Sequence, residues 1–160
     1  MSNNVFRKSI SDMFPVIYDI VSSGGSVKLD VKGNSMRPLL RSERDAVILK
    51  KADVIKKYDV VLFKKDDGSI ALHRIISIKD SSYTIAGDNQ GLDFGIKHDA
   101  LIAKAVEFQR GRHCISEKQI RSFGRFWFAI YPLRRISRKG LTWIKNHSPA
   151  CIRSLKNKFR

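Results

Sequence analysis

Ser35 and His73 have the two kinds of side chain that acyl transfer needs, a hydroxyl group and an imidazole. Ser35 lies in the segment GNSMRP, where Gly33 and Pro38 predict a turn between two strands that exposes the serine hydroxyl. A neutral serine is a weak nucleophile and needs a neighbouring base to accept its proton. Of the four histidines, only His73 lies within a clear strand pattern, IALHRIISI. Ser35 is therefore a candidate nucleophile, and His73 is the candidate general base.

A carboxylate commonly completes such a pair. It orients the second ring nitrogen of the histidine and stabilises the imidazolium that forms during the reaction. Asp88 and Asp93, both in the segment AGDNQGLDFG, are the candidates for this third role. Each of these residues, taken alone, also has an ordinary structural explanation in a turn or a strand. No one of these residues by itself identifies an enzyme.

The elements that must position these side chains are mainly short strands. Residues 9–21 carry apolar side chains at spacings of three and four, which predicts an amphipathic helix that ends at Gly24 and Gly25. Residues 26–108 contain short runs with the pattern of β-strands, separated by turn segments such as DNQGLDFG. The runs are SVKLDV, DAVILKK, YDVVLFKK, SIALHRIISIK, SYTIAG and LIAKAVEF. With no helix between them, these runs predict a mainly β fold, a small antiparallel coiled sheet or partly closed barrel.

The length of 160 residues suits one domain with terminal extensions. We predict an N-terminal amphipathic helix over residues 1–25, a catalytic domain over residues 26–109, and a basic aromatic extension over residues 110–160. The apolar face of this extension begins at Ile120. We predict that the extension forms basic amphipathic helices, which Pro132 and Gly140 divide or kink.

The order of these segments resembles the serine peptidase clan that contains signal peptidase I and the self-cleaving SOS repressors. The resemblance covers residues 27–108. It is carried by four boxes in the family's order: Gly33-Asn34-Ser35-Met36-Arg37-Pro38, similar to the nucleophile box; Asp59-Val60-Val61-Leu62-Phe63, similar to the strand that follows it; His73-Arg74-Ile75-Ile76, similar to the strand with the general base; and Gly87-Asp88-Asn89 with Asp93-Phe94-Gly95, similar to the closing box.

The resemblance implies a role for each matching residue. Most bacterial signal peptidases and the SOS repressors have a lysine where this chain has His73, whereas the endoplasmic-reticulum and archaeal-type enzymes have a histidine, so the chain is most similar to the histidine branch. In that branch the orienting acid follows the Gly-Asp-Asn box, which corresponds to Asp93; Asp88 is assigned to shaping the loop. The remaining active-site loop residues implied by the resemblance are Gly33, Met36, Pro38, Arg74, Gly87 and Asn89.

The oxyanion site departs from the family pattern. Many bacterial signal peptidases have a hydroxyl residue two positions before the nucleophile, and this chain has Gly33 there. The donors that we expect instead are the backbone N–H of Ser35 and the side chain of Asn34. Removing one oxyanion donor costs about 10²- to 10³-fold in rate where nothing replaces it.

Composition limits the remaining classes of function. Cys114 and Cys151 have neither CxxC spacing nor nearby histidine pairs, so we predict no metal, no cofactor and no disulfide framework. The N-terminus lacks the apolar core and cleavage site of a signal peptide, and no apolar run approaches the roughly 20 residues of a membrane-spanning helix. We therefore expect a cytoplasmic protein that attaches peripherally to a membrane.

The net charge of +16 is concentrated at one end of the chain. Residues 110–160 contribute +13, from 14 basic residues against Glu117 alone. The segment that begins at Phe123 and ends at Lys145 combines this charge with aromatic residues, which is typical of a helix lying on an anionic membrane surface. A helix packed on the protein's own sheet with a solvated basic face is the alternative. Nucleic acid is not expected as a partner, because no recognised binding module accompanies the charge.

Two classes of function remain. The first is a serine endopeptidase that cleaves a signal, leader or precursor peptide, with the peptide or precursor protein as its partner. The second is a non-catalytic interaction domain or autoprocessing regulator that retains the same fold. An attached DNA-binding domain would favour the second, and the segment before Ser26 is too short for a convincing one.

Overall fold

The computed structural model describes residues 10–130, with side chains from residue 13 onward. Within these residues the order along the chain is helix α1 (Ile10–Ser22), eight strands and helix α2 (Glu117–Ala129). The strands are β1 (Val27–Asp30), β2 (Asp45–Lys50), β3 (Val60–Lys64), β4 (Ile70–Lys79), β5 (Ser82–Ala86), β6 (Leu92–Lys97), β7 (Leu101–Arg110) and β8 (His113–Ser116). A single 3₁₀ turn, His98–Ala100, joins β6 to β7. The predicted mainly β fold with a short N-terminal helix and a C-terminal helical segment is confirmed.

All strand pairs in the described residues are antiparallel. Their order is β1-β2-β7-β3-β4-β5-β6, with β8 paired to β7. Strand β7 pairs with β2 along one edge, and with β3 and then β8 along the other. Because β1 and β6 lie at opposite ends of this order, the sheet is open and is not a closed barrel.

Two strands were not predicted from the sequence. The predicted turn segment DNQGLDFG overlaps the first part of β6; in this strand only Ile96 is buried, and Gly95 has a φ of +70°. The alternation of apolar and polar residues that identifies a half-buried strand is therefore absent. Strand β8 has four residues and none is buried, so it also lacks that signal.

The central strands carry apolar side chains on both faces of the sheet. In β3, Leu62 belongs to one buried cluster and Phe63 to another, because successive side chains of a strand point to opposite faces. The first cluster also contains Ile17 of α1, Phe108 of β7 and Ile120 of α2. Helix α1 lies against β7 and β1. Both terminal helices thus contribute to the core on which the strands are packed.

The chain divides after Arg125 into two compact units. The first contains every strand of residues 10–130 and the beginning of α2. Since β8 and the buried Ile120 follow residue 109, the sheet and its core extend into the region predicted as an extension. The predicted helical positions beyond residue 130 lie outside the described residues. No helix within residues 10–130 is long and apolar enough to cross a membrane.

Candidate active site

The turn that carries Ser35 follows β1 and is held from both sides. Gly33 has a φ of +82°, a conformation that side-chain-bearing residues rarely adopt, and its N–H donates to Ser42 Oγ over 3.1 Å. After the serine, the buried Met36 accepts a hydrogen bond through its carbonyl from the Leu40 N–H at 2.9 Å. The turn therefore places Ser35 between a glycine that sets the backbone direction and apolar residues buried in the core.

His73 lies in β4, opposite Val61 of β3. Its side chain is only 3% exposed, and its ring packs against Phe63 with 5.8 Å between the ring centroids. Strand β5 pairs with β4 only from Arg74 onward. Among the described strands, none pairs with the part of β4 before Arg74 on the side away from β3.

The Gly-Asp-Asn loop after β5 brings the serine turn and the histidine together. The Asn89 N–H donates to the Ser35 carbonyl over 2.7 Å. A Cβ atom at Gly87 would lie 2.8 Å from that same carbonyl oxygen and 3.2 Å from His73 Nε2. Gly87 is thus the point at which the main chain of Ser35 and the ring of His73 meet, and only a glycine fits there without displacing one of them.

A buried ion pair fixes this loop. Both nitrogens of the Arg74 fork donate to the Asp88 carboxylate, Nε to Oδ1 at 2.8 Å and Nη2 to Oδ2 at 2.9 Å, and both side chains are fully buried. The remaining Arg74 nitrogen, Nη1, donates to the carbonyls of Tyr58 and Ile120. Asp88 therefore faces Arg74, and its assigned role in shaping the loop stays a prediction consistent with this contact.

Asp93 lies on the Nδ1 side of the His73 ring, whereas Gly87 lies on the Nε2 side. Its Oδ2 lies 3.3 Å from His73 Nδ1. The contact has ion-pair distance without hydrogen-bond alignment, since Nδ1 has no partner of good geometry among the described residues. Because Asp93 faces Nδ1, Nε2 is the nitrogen directed towards Gly87 and the Ser35 turn. This is the division of the ring that a Ser-His-Asp arrangement requires.

The pKa of His73 lies below its ordinary value of 6.5. Burial disfavours the charged ring and is the largest cause; the nearby Lys65 ammonium acts in the same direction. Asp93, and to a smaller extent Gln90, act in the opposite direction. The imidazole is consequently neutral at pH 7, the state in which it can accept a proton.

Ser35 is partly buried at the edge of a cleft of about 300 Å³. Within the described residues its hydroxyl and its N–H take part in no hydrogen bond, so the N–H is available to an oxyanion. Asn34 also lines the cleft, and its exposed side chain has no hydrogen-bond partner in residues 10–130. The hydroxyl likewise has no bond to His73, and so the predicted dyad requires a rotation of Ser35 or the arrival of substrate.

Sequence reasoning missed Lys65 and Gln90, which line the same cleft. Lys65 Nζ contacts both carboxylate oxygens of Asp93, at 3.3 and 3.4 Å. The one feature of the sequence that could have indicated Lys65 is the predicted hairpin between β3 and β4, which brings the end of β3 close to β4. A hairpin does not specify the direction of the Lys65 side chain. No cluster of three or more metal-ligand side chains occurs in residues 10–130.

Replacing Gly87 by alanine tests how closely the loop must approach the site. The added Cβ forces the Ser35 carbonyl or the His73 ring to move, and a displacement of this size can lower the rate about 10²-fold or more. We expect Gly87→Ala to retain the fold, judged by circular dichroism, and to lose cleavage of a pooled library of short unstructured peptides followed by mass spectrometry. Gly91→Ala is the matched control, because nothing lies within 4 Å of its Cβ position. Equal loss in both variants would contradict this account of Gly87.

Comparison with known families agrees with the order of these segments. The model of the family described as Peptidase S24-like matches residues 2–104, more than half of the chain. The matched region contains Ser35, His73 and Asp93 and their three segments, and the resemblance to the clan of signal peptidase I and the SOS repressors is thereby confirmed. A search of the curated proteins found no match. The chain belongs to the Peptidase S24-like family of serine peptidases and related autoprocessing proteins.

Proposed function

We propose that this chain is a serine endopeptidase that cleaves a signal, leader or precursor peptide by a Ser35–His73–Asp93 mechanism of the signal peptidase type. The observation that carries the proposal is the meeting of the Ser35 turn and the Nε2 edge of His73 at Gly87, with Asp93 on the Nδ1 edge. A domain that had kept the fold only for binding would not need this arrangement around an open cleft.

The reaction proceeds in two acyl-transfer steps. Ser35 Oγ attacks the carbonyl carbon of the scissile peptide bond while His73 Nε2 accepts the hydroxyl proton. The Ser35 N–H donates to the oxyanion of the tetrahedral intermediate, and Asn34 is the candidate second donor. When the intermediate collapses, the C–N bond breaks and the protonated His73 transfers its proton to the leaving amine. Water, deprotonated by His73, then hydrolyses the acyl-enzyme ester and regenerates Ser35.

The substrate binds as an extended strand between two open edges. In the described residues β1 pairs only with β2, and the start of β4 pairs only with β3, so both strands have unpaired backbone groups. Leu29 of β1 and Leu72 of β4 line the same cleft as Ser35. A peptide can therefore add to both edges through main-chain hydrogen bonds and place small apolar side chains in the cleft.

The rival function is a non-catalytic or self-cleaving regulator with the same fold. Self-cleavage uses the same nucleophile and base, so it differs from the endopeptidase in where the substrate comes from. A purified chain that cleaves only itself, at a rate independent of protein concentration, would indicate the regulator. Cleavage of added peptides with turnover would indicate the endopeptidase.

Ser35→Ala and His73→Ala should each abolish cleavage of the peptide library. The double variant should be no slower than either single variant, because the nucleophile and its base act as one unit. For the wild type, kcat/KM should rise with pH and become constant above the His73 pKa, with a midpoint below 6.5, because only the neutral imidazole accepts the proton.

Ser122→Ala and His113→Ala are the matched controls, since both side chains are exposed and lie outside the cleft. They should cleave at the wild-type rate. Full activity in Ser35→Ala would exclude the proposed mechanism. Cleavage of no peptide by the folded wild type would favour the regulator.

We also propose that the protein is cytoplasmic and attaches to an anionic membrane surface through the segment that begins at Phe123 and ends at Lys145. Most of this segment lies outside the described residues, so the support comes from the sequence: its basic residues accompany Trp127, Tyr131 and Trp143. Each basic residue near an anionic surface contributes about 1 kcal/mol. The alternative of packing on the protein's own sheet applies to the first part of α2, where Ile120 and Gly124 are buried and Phe123, the first residue of the segment, packs against the core.

Flotation with liposomes tests the membrane proposal on the full chain. The wild type should float with anionic vesicles, should dissociate as salt is raised, and should not float with neutral vesicles. Replacing Arg134, Arg135 and Arg138 by glutamine should weaken binding. Replacing the exposed Lys28, Lys50 and Lys79 by glutamine removes the same charge from the sheet and should have little effect. Equal weakening by the two triple replacements would refute a dedicated binding segment.

A further inference from the structure

Lys65 occupies a position in the cleft that the proposed mechanism does not use. It follows β3 at the start of the hairpin to β4, where its N–H donates to the Ser69 carbonyl and its carbonyl accepts from the Gly68 N–H. Its side chain lines the same cleft as Ser35 and His73. The tight hairpin fixes the backbone from which the ammonium reaches Asp93.

The Asp93 carboxylate is shared between the Lys65 ammonium and the His73 ring. Oδ2 lies 3.3 Å from Lys65 Nζ and also 3.3 Å from His73 Nδ1. A carboxylate with no other partner at this distance would stabilise the imidazolium strongly, because the ring is buried and the interaction is poorly screened. Such a histidine would retain its proton and would be a poor base. The Lys65 ammonium reduces this stabilisation of the imidazolium.

We propose that Lys65 is a positioning residue, whose ammonium holds the Asp93 carboxylate beside His73 Nδ1 and offsets its charge, so that Asp93 orients the imidazole without keeping it protonated. The inference rests on the proposed Ser35–His73 function and deepens it. Lys65 acts through Asp93 and His73 and takes no part in proton transfer to or from the substrate.

Asp30 and Lys32, from the end of β1 and the segment that follows, also line the cleft, but neither is among the groups that shift the pKa of His73. Arg74 and Asp88 form a bidentate pair and so largely cancel each other. Among the described residues, Lys65 and Asp93 are the charged side chains that shift the pKa of His73, and they act in opposite directions.

Titration of His73 by NMR on the full chain tests the inference without a substrate. The Hε1 resonance of His73 is assigned with a His73→Gln variant. Lys65→Met should raise the titration midpoint, since it removes a positive charge, whereas Lys65→Arg should keep it near the wild-type value. Asp93→Asn should lower it. Lys64→Met is the matched control, because Lys64 is exposed and does not line the cleft; its midpoint should not change.

Cleavage of the peptide library provides the second readout. The acid limb of the kcat/KM profile should move to higher pH in Lys65→Met, which lowers the ratio of kcat/KM at pH 6 to that at pH 8, and Lys65→Arg should restore the profile. An unchanged or lowered His73 midpoint in Lys65→Met, or a shift of equal size in Lys64→Met, would overturn the inference. So would loss of cleavage at every pH with the midpoint unchanged, which would make Lys65 itself a catalytic residue. These outcomes are separate from those that test the proposed function, which fails if Ser35→Ala or His73→Ala remains active or if the folded wild type cleaves no added peptide.

Discussion

The buried pair of Arg74 and Asp88 is the interaction on which the site depends. Arg74 follows His73 directly in β4, and Asp88 follows Gly87 directly in the loop, so their bond fixes the two residues whose contact forms the site. Two fully buried charges are tolerated only when each satisfies the other, and removing one partner of such a pair costs about 3–5 kcal/mol. The nitrogen of Arg74 that Asp88 does not use donates to carbonyls of Tyr58 and Ile120. Strand, loop and the start of α2 are therefore held by one guanidinium.

This arrangement gives the two carboxylates different surroundings. Asp88 is fully buried and paired with Arg74, whereas Asp93 is partly exposed and lies between His73 and Lys65. A lysine base in the same place must be kept neutral against an ordinary pKa near 10.4. A histidine requires little shift of its pKa and instead requires orientation. Burial against Phe63 and contact with Asp93 supply that orientation.

The sequence predicted the architecture wherever side-chain burial leaves a regular pattern. The strands β2, β3, β4 and β7 were recognisable because their apolar residues are buried, and α1 because its apolar residues recur at helical spacing. Strands β6 and β8 lack buried residues at alternating positions and were missed. The candidate residues Ser35, His73 and Asp93 were found through four boxes in a familiar order. Lys65 was not, because the direction of a long side chain after a strand depends on tertiary packing that periodicity does not contain.

Direct detection of the covalent intermediate tests the central claim that Ser35 is a nucleophile activated by His73. The full chain is incubated with the p-nitrophenyl ester of N-acetylalanine, a small activated acyl donor, and is quenched in acid during turnover. Peptide mapping by mass spectrometry then locates the acyl group. The account predicts an N-acetylalanyl ester on Ser35 that is absent when His73 is replaced by alanine. A folded wild-type protein without acylation of Ser35, or equal acylation in His73→Ala, would contradict it.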